Sequence, residues 1–233
     1  MRIGIGCTTF NRAKHLKFWT KQFVFNSNFD YQLHIADDTE DRKGIAYRKN
    51  ECLRALKDCD YIFLFDDDCF PIKEGWAEFF IEASKASAQQ HFMYLKETPM
   101  IKWIGSKHVN PSEALYTENT FEIKQYNNCS GCMMFFTKEV IEKVGSYNPA
   151  YGIYGFEHAG YSNRIHSAGL TPLGAYTCPE AAGEYIYSLD FDNHLLFNKE
   201  LNHNPSIEVS KINEYVEDNK KIYLKDTDIY IPL

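Results

Sequence analysis

The sequence predicts an α/β protein with a mostly parallel, Rossmann-like sheet flanked by helices. Three observations predict it. Apolar, strand-like runs alternate with amphipathic helical stretches from residue 3 to about residue 83. Two of the runs, over residues 31–36 and 60–65, end in aspartate clusters. No internal repeat, low-complexity tract or linker divides the chain. Ligands of parallel sheets collect at the carboxyl ends of the strands, so two acidic strand ends predict a site on that edge.

Residues 3–10 read as the first strand, close-packed where Gly4 and Gly6 fall, and Asn11 reads as the N-cap of a helix carrying Leu16, Trp19 and Phe23 at helical spacing. Residues 31–36 form the second strand, ending at Asp37-Asp38. A polar loop over 39–43 leads to a helix with Ile45, Cys52, Leu53 and Leu56 on one face and Arg48, Lys49 and Asn50 on another. The apolar and aromatic run over 61–65 reads as a buried strand and stops at Asp66-Asp67-Asp68. Three like charges there repel one another and add nothing to packing. A divalent cation with oxygen ligands is the partner that chemistry suggests, and a solvated acidic turn closed by Pro71 is the alternative. Trp76, Phe79, Phe80 and Ala83 then mark a third helix.

Beyond residue 90 the pattern is less regular. Short strands are expected over 92–95, 100–104, 121–126 and 133–136, with a polar loop over 106–119 and Trp76 and Trp103 in the core. A helix over 138–144 stops at Gly145, and Tyr151-Gly152-Ile153-Tyr154-Gly155 makes an aromatic-glycine loop. A further helix opens at Phe156-Glu157-His158 and stops at Gly169. Residues 173–176 and 184–189 are expected as strands, and the charged tail from about residue 204 as a peripheral wrap. The domain reading is one domain over 1–204 with 205–233 as an extension packed on it.

A hydrophobic fraction of 44% and an aromatic fraction of 15% exclude global disorder. The net charge of −7 argues against non-specific nucleic-acid binding while leaving room for a local anionic ligand. Cys129-x-x-Cys132 lacks the second pair a zinc site needs, so the seven scattered cysteines read as buried thiols, which fits a reducing cytosol. No signal peptide is read at the first ten residues, and no apolar run approaches the roughly 18–20 residues of a membrane span. A cytoplasmic protein without a transmembrane segment is expected.

The motifs resemble those of GT-A fold nucleotide-sugar glycosyltransferases, nearest in pattern to glycosyltransferase family 2. The resemblance rests on Thr9-Phe10-Asn11-Arg12 after the first strand, Asp37-Asp38-Thr39 after the second, Gly44-Ile45-Ala46-Tyr47-Arg48-Lys49-Asn50 at a changed spacing, and the Asp-x-Asp at Asp66-Asp67-Asp68. It continues through Ser130-Gly131, Gly145, Tyr147-Asn148-Pro149, Tyr154-Gly155, Glu157 and Ala168-Gly169, covering roughly residues 3–176.

The resemblance implies a metal-dependent transfer of a sugar from a nucleotide-diphosphate donor, UDP-sugar favoured, to a carbohydrate or other hydroxyl acceptor, with inversion. It implies donor contacts from Thr8, Thr9, Asn11, Arg12, Asp38, Arg48, Asp66 and Asp67, with Mn²⁺ or Mg²⁺ at Asp68 and Asp66 and His194 as a further ligand. The cation would act as a Lewis acid on the leaving phosphate. An acceptor platform is expected from Tyr151, Tyr154 and Phe156, whose rings suit sugar C–H faces. Family 2 members carry Glu-Asp or Asp-Asp where this chain has Glu157-His158. Glu157 is the first choice of base, favoured as the anion by the helix N-terminus, and His158 is the alternative. A pyrophosphorylase would need a glycine-rich phosphate loop that Cys7-Thr8-Thr9-Phe10-Asn11 does not supply, and an aspartyl-nucleophile phosphatase has no place for Phe70. A non-catalytic nucleotide-sugar or carbohydrate binder with a degenerate base site stands as the other reading.

Overall fold

The computed structural model describes residues 1–96, 106–109, 121–189, 191 and 209–233. Its central sheet has five strands in the order β2-β1-β3-β8-β5. They are β1 (Ile3–Thr9), β2 (Tyr31–Asp37), β3 (Tyr61–Asp66), β5 (His91–Met93) and β8 (Met133–Thr137). β1 pairs in parallel with β2 and β3, while β8 runs antiparallel to both β3 and β5, so four of the five strands point the same way. This is the mainly parallel sheet expected, with one reversed strand inside it.

β3 shows why its sequence is a continuous apolar run. Phe63 and Phe65 pack on one side with Trp19 and Phe23 of α1 (Ala13–Asn26) and with Trp76 and Phe80 of α3 (Trp76–Ser87). Ile62 and Leu64 pack on the other with Leu53 and Leu56 of α2 (Ile45–Leu56), Val140 and Val144 of α4 (Lys138–Val144), and Tyr161 and Ile165 of α5 (Glu157–Ser167). Strand side chains alternate between faces, so a strand covered by helices on both sides must be apolar throughout.

The parallel register sets the level of the acidic edge. Thr9 of β1 lies opposite Asp37, and Thr8 lies opposite Asp66. The ladder runs on past the strand ends, with Asp38 N donating to Thr9 O and Asp67 N to Thr8 O. There are two smaller sheets among the described residues: β4 (Cys69–Pro71), just after the acidic turn, pairs with β10 (Ile186–Ser188), and β7 (Ile123–Tyr126) lies between β6 (Ser106–Val109) and β9 (Thr177–Pro179).

Several expectations need correction. Asn11 is not the cap of α1; it sits at φ 51° with Arg12 in the cap position and no side-chain cap bond, because its backbone N–H is drawn to Thr39 Oγ1. The 106–119 loop contains β6, which pairs with β7. The strand expected over 173–176 is a turn, and the pairing begins at Thr177. The tail contains a regular helix, α6 (Val209–Tyr223). After it, Ile231 forms a parallel bridge with Gly145, exchanging backbone bonds with Val144 and Ser146. The strand over 100–104 and Trp103 lie outside the described residues, whereas Trp76 is in the core.

Candidate active site

The acidic edge is assembled from β1, β3 and the turn before α1. Thr8 Oγ1 donates to Asp66 Oδ1 at 2.8 Å and Thr9 Oγ1 to Asp67 Oδ2 at 2.6 Å. Arg12 Nη1 reaches Asp67 Oδ1 at 3.0 Å and Asp68 Oδ2 at 2.9 Å. Part of the repulsion in the triplet is thus offset by one guanidinium from the adjoining turn. Compensation is incomplete: burial, together with repulsion from Asp68 and Asp66 that Arg12 only partly offsets, pushes Asp67 up to about 7.

Asp66 and Asp68 each keep one carboxylate oxygen that accepts no hydrogen bond from the described residues. Arg12 Nε is buried with no partner among the described residues. Hard oxygen donors beside an under-compensated cluster suit Mg²⁺ or Mn²⁺ that takes most of its shell from phosphate and water. Among the described residues no three His, Cys, Asp or Glu side chains gather closely enough to hold a metal alone. His194 lies outside the described residues.

Asp38 and Arg48 are brought together, but for one another. Asp38 accepts from Lys43 N at 2.7 Å, Gly44 N at 3.0 Å and Arg48 Nε at 3.0 Å. Arg48 also pairs with Glu51 Oε2 at 2.7 Å and with Asp41. Both side chains are buried and fold the 38–44 loop onto α2. Their polar atoms are thus tied first to protein groups, and the expected donor contacts of this pair are neither made nor excluded by these bonds.

The residue that sequence reasoning missed is the next one, Lys49. Successive helix positions turn about 100°, so Arg48, Lys49 and Asn50 cannot share a face, yet all three are buried. The head of α2 is therefore enclosed on several sides. Asn50 exchanges two hydrogen bonds with the Tyr147 backbone, Nδ2 donating at 2.9 Å and Oδ1 accepting at 2.7 Å. Lys49, 1% exposed, donates from Nζ to Gly131 O at 3.0 Å and lies 3.7 Å from both Asp66 Oδ1 and Glu157 Oε1. Burial pulls its pKa down, but Asp66 and Glu157 outweigh this and raise it, so it is a lysinium. The one available signal was its place in the Arg48-Lys49-Asn50 stretch.

Glu157 and His158 open α5. Glu157 is 4% exposed; its Oε2 accepts from Gly155 N at 3.1 Å and its Oε1 from His158 Nδ1 at 2.9 Å. Burial alone would raise its pKa, but His158 and Lys49 hold it down to about 2. An ionised carboxylate can only accept, so Nδ1 of His158 carries the hydrogen, and in the neutral ring Nε2 is bare. The His158 ring lies directly on Gly131, where a Cβ would come within 2.8 Å of Nδ1.

The aromatic loop divides. Tyr151 is buried: its hydroxyl donates to Asp226 Oδ2 at 2.9 Å and sits where a Cβ on Gly160 would be. It is a core residue joining α5 to the tail, which corrects its assignment to an acceptor platform. Phe156, at φ 66°, packs its ring 5.0 Å from Tyr223 of α6. Tyr154 alone of the three is exposed, at 39%. Asn219 of α6 donates from Nδ2 to the carbonyls of Tyr151, Tyr154 and Gly155 at 2.7, 2.7 and 2.9 Å.

All seven cysteines are free and buried, and among the described residues no helix is long and apolar enough to cross a membrane.

No family model matches the chain. It is 28% identical over 159 residues, 65% of its length, to a protein of Acanthamoeba polyphaga mimivirus named as an uncharacterized glycosyltransferase, of which it covers 56%. The chain thus spans about half the length of that relative. A mannosyltransferase of Pyrobaculum calidifontis, solved with GDP-Man and Mn²⁺, superposes with a TM-score of 0.52 at 10% identity, over 73% of this chain and 53% of that one. A 1–349 fragment of S. aureus TarS with UDP aligns at a TM-score of 0.49 and 11% identity, over 72% of this chain and 56% of that one. The chain therefore resembles glycosyltransferases in sequence, and its architecture is the GT-A fold.

Proposed function

We propose that this chain transfers a glycosyl group from a nucleoside-diphosphate sugar to a hydroxyl acceptor. One observation carries the reading: Asp66, at the carboxyl end of β3, and the Glu157-His158 pair, at the head of α5, converge on one buried lysine. A carboxylate edge for a diphosphate's cation thereby faces a proton acceptor across a short span. The mimivirus relative's name and the fold shared with a GDP-mannose-binding transferase agree with this.

In the proposed step the acceptor oxygen attacks the anomeric carbon. Its proton passes to the base, and the anomeric C–O bond breaks with its electron pair leaving on the β-phosphate. We assign the base to His158 Nε2, held bare by the Nδ1–H donated to Glu157; Glu157 itself, with a pKa near 2 and three partners, is a weak proton acceptor. Asp66 and Asp68 would hold Mn²⁺ or Mg²⁺, which when bound supplies Lewis-acid stabilisation of the leaving phosphate. Thr8 and Thr9 orient Asp66 and Asp67, and Arg12 bridges Asp67 and Asp68 through Nη1. Tyr154 is the exposed ring on the acceptor side.

A single displacement with inversion follows from pairing one base with one leaving group, and a uridine donor from the motif resemblance. Residues 1–204 form the transfer domain and 205–233 an extension on it, and seven free buried thiols suit the cytoplasm.

The test is nucleoside diphosphate release from a panel of nucleotide sugars with Mn²⁺ and mixed acceptors. Asp66→Asn and Asp68→Asn should each lower release about 10³-fold. Release that survives both substitutions sinks the reading. Arg12 on Asp68 favours a second reading, a nucleotide-sugar binder without turnover, which donor binding with no release from any acceptor would establish.

A further inference from the structure

We propose that the cleft between α3, β7 and the short 3-10 helix over Glu180–Glu184 binds a neutral oligosaccharide, the part of a glycan acceptor remote from the reacting hydroxyl. That the glycan is an acceptor rests on the reading above; that the cleft binds one does not. The cleft encloses about 550 Å³, within the roughly 300–1,000 Å³ of ligand pockets. Its walls come from four places in the chain: Phe79 of α3, Leu95 and Lys96 after β5, the 121–126 segment, and the 180–184 turn.

Two half-buried phenyl rings form one corner of the cleft. Phe121 meets Phe79 at 65° with centroids 5.5 Å apart, and Tyr185 stacks on Phe79 at 4.6 Å, which fixes that ring in place. Charged groups supply much of the remaining wall. Lys124 Nζ pairs with Glu180 Oε1 at 3.0 Å, Glu184 Oε2 pairs with Lys73 Nζ at 3.4 Å, and Lys96 and Glu122 stand beside them. Two lysines thus line the cleft with three glutamates, and Lys73 on Glu184 closes the balance. A phosphate or nucleotide needs an excess of cationic donors, which this wall lacks. An alkyl chain would strip water from the charged heads and replace none of their hydrogen bonds. A sugar meets both halves of the wall: its C–H face lies on the phenyl rings, and its hydroxyls donate to carboxylates and accept from ammonium groups.

The cleft is tied to the acidic edge by β10. The 180–184 turn leads into that strand, and the strand's other end lies at the acidic turn, where Ser188 stands opposite Cys69 and Leu189 N donates to Asp68 O. At about 3.3 Å per residue, the run from Glu184 to Leu189 spans roughly 16 Å. One sugar unit cannot occupy the cleft and the acidic edge together; a chain of several units can.

The test titrates maltohexaose, cellohexaose and mannohexaose into the ¹⁵N-labelled full chain without donor or Mn²⁺. At least one should move the amide signals of Lys124, Gly183 and Glu184, and Phe121→Ala should weaken that binding about tenfold through the lost ring contact. Ala181→Trp places a bulky side chain at an exposed position of the wall, so it should abolish the shifts in a protein that folds like the wild type. No shift at these amides with any hexaose overturns the proposal, as do shifts that persist in Ala181→Trp. Shifts there with octanol and none with a glycan overturn it in favour of an apolar ligand. None of these outcomes depends on donor cleavage, so failure of the cleft is separable from failure of the proposed reaction. Kinetics test the acceptor role. Both variants should raise KM for the bound hexaose about tenfold, with kcat and the KM of its monosaccharide changed less than twofold. Unchanged KM for both lengths would show a glycan held without being the acceptor, and would overturn that half of the proposal.

Discussion

The acidic strand edge and the loop that delivers Glu157 lie on either side of Lys49, yet they are built by different means. The edge is made by ladder neighbours: β1 and β3 pair in parallel, and two threonines of β1 bond the last residue of β3, Asp66, and the one after it, Asp67. The 151–157 loop is held from outside, by three carbonyl bonds to Asn219, by Tyr151 on Asp226 and by Phe156 on Tyr223. Strand pairing fixes the first whatever the tail does. The second depends on residues some sixty to seventy-five positions downstream. A molecule of this design can lose its proton acceptor without losing its donor edge, and each prediction below tries to separate the two.

The largest separation should come from Asn219→Ala. It leaves the carbonyls of Tyr151, Tyr154 and Gly155 without their donor, two of these bonds being buried. The two hydrogens of the amide are shared among the three carbonyls, so at about 1–2 kcal/mol per lost bond urea denaturation should show a loss of about 3 kcal/mol. Transfer should fall while donor affinity holds. Equal losses of donor affinity and turnover would break the comparison, showing that the two regions are one cooperative unit.

Acid should act next, through His91. This fully buried ring donates from Nδ1 to Phe135 O in β8 at 2.9 Å and accepts at Nε2 from Ser162 Oγ of α5 at 2.8 Å. It therefore pins the helix that carries Glu157 to the sheet. Burial lowers its pKa to about 4, only partly offset by the carbonyl, against 6.5 for an ordinary histidine. A depressed folded-state pKa means the unfolded chain binds the proton first. The stability is complete above pH 6.5 and is lost as pH falls towards 4, by about 2 kcal/mol at pH 5 relative to pH 7.5. Glu157, held near 2, adds loss only below about pH 4.5. Asp67, held up near 7, works the other way over the same range and nearly cancels this loss, so His91→Asn should tilt urea titrations towards greater stability at pH 5, by about 2 kcal/mol relative to the wild type; an unchanged slope would show that His91 does not carry this loss.

The two regions also differ in how far they could be read from the sequence. The strand edge was legible because its signals are local: apolar runs that stop at aspartates, and helices with their stripes in order. Lys49 was not, because its meaning comes from positions 131 and 157 folding around it, and a lysine on a helix reads as solvent-facing. Asp38 and Arg48 were found as important, but their pairing with one another was not, since a pattern does not say which charged groups of a loop and a helix meet. The helix α6 escaped notice for a sharper reason. Val209, Ile212, Val216 and Tyr223 lie at helical spacing, but the place between the last two is taken by Asn219, a polar residue in an inner position. The residue that hid the helix is the one that clamps the loop.

The smallest expected effect is the most selective. Gly131→Ala would put a Cβ 2.8 Å from Nδ1 and 2.9 Å from Cγ of His158, closer than carbon side chains pack, so the ring must give by about 0.5 Å. The 2.9 Å bond to Glu157 would lengthen, and Nε2 would swing with the ring. Misplacing a reacting group by part of an ångström should cost about tenfold in kcat. Nothing on the strand edge moves: Thr8, Asp66 and Arg12 keep their partners, so donor Kd should stay within twofold. A kcat equal to wild type would mean that the His158 ring is not where the proton goes, and the base assignment would pass back to Glu157. A tenfold loss with donor binding intact would show that the loop side can be detuned by one methyl group while the strand edge is left alone.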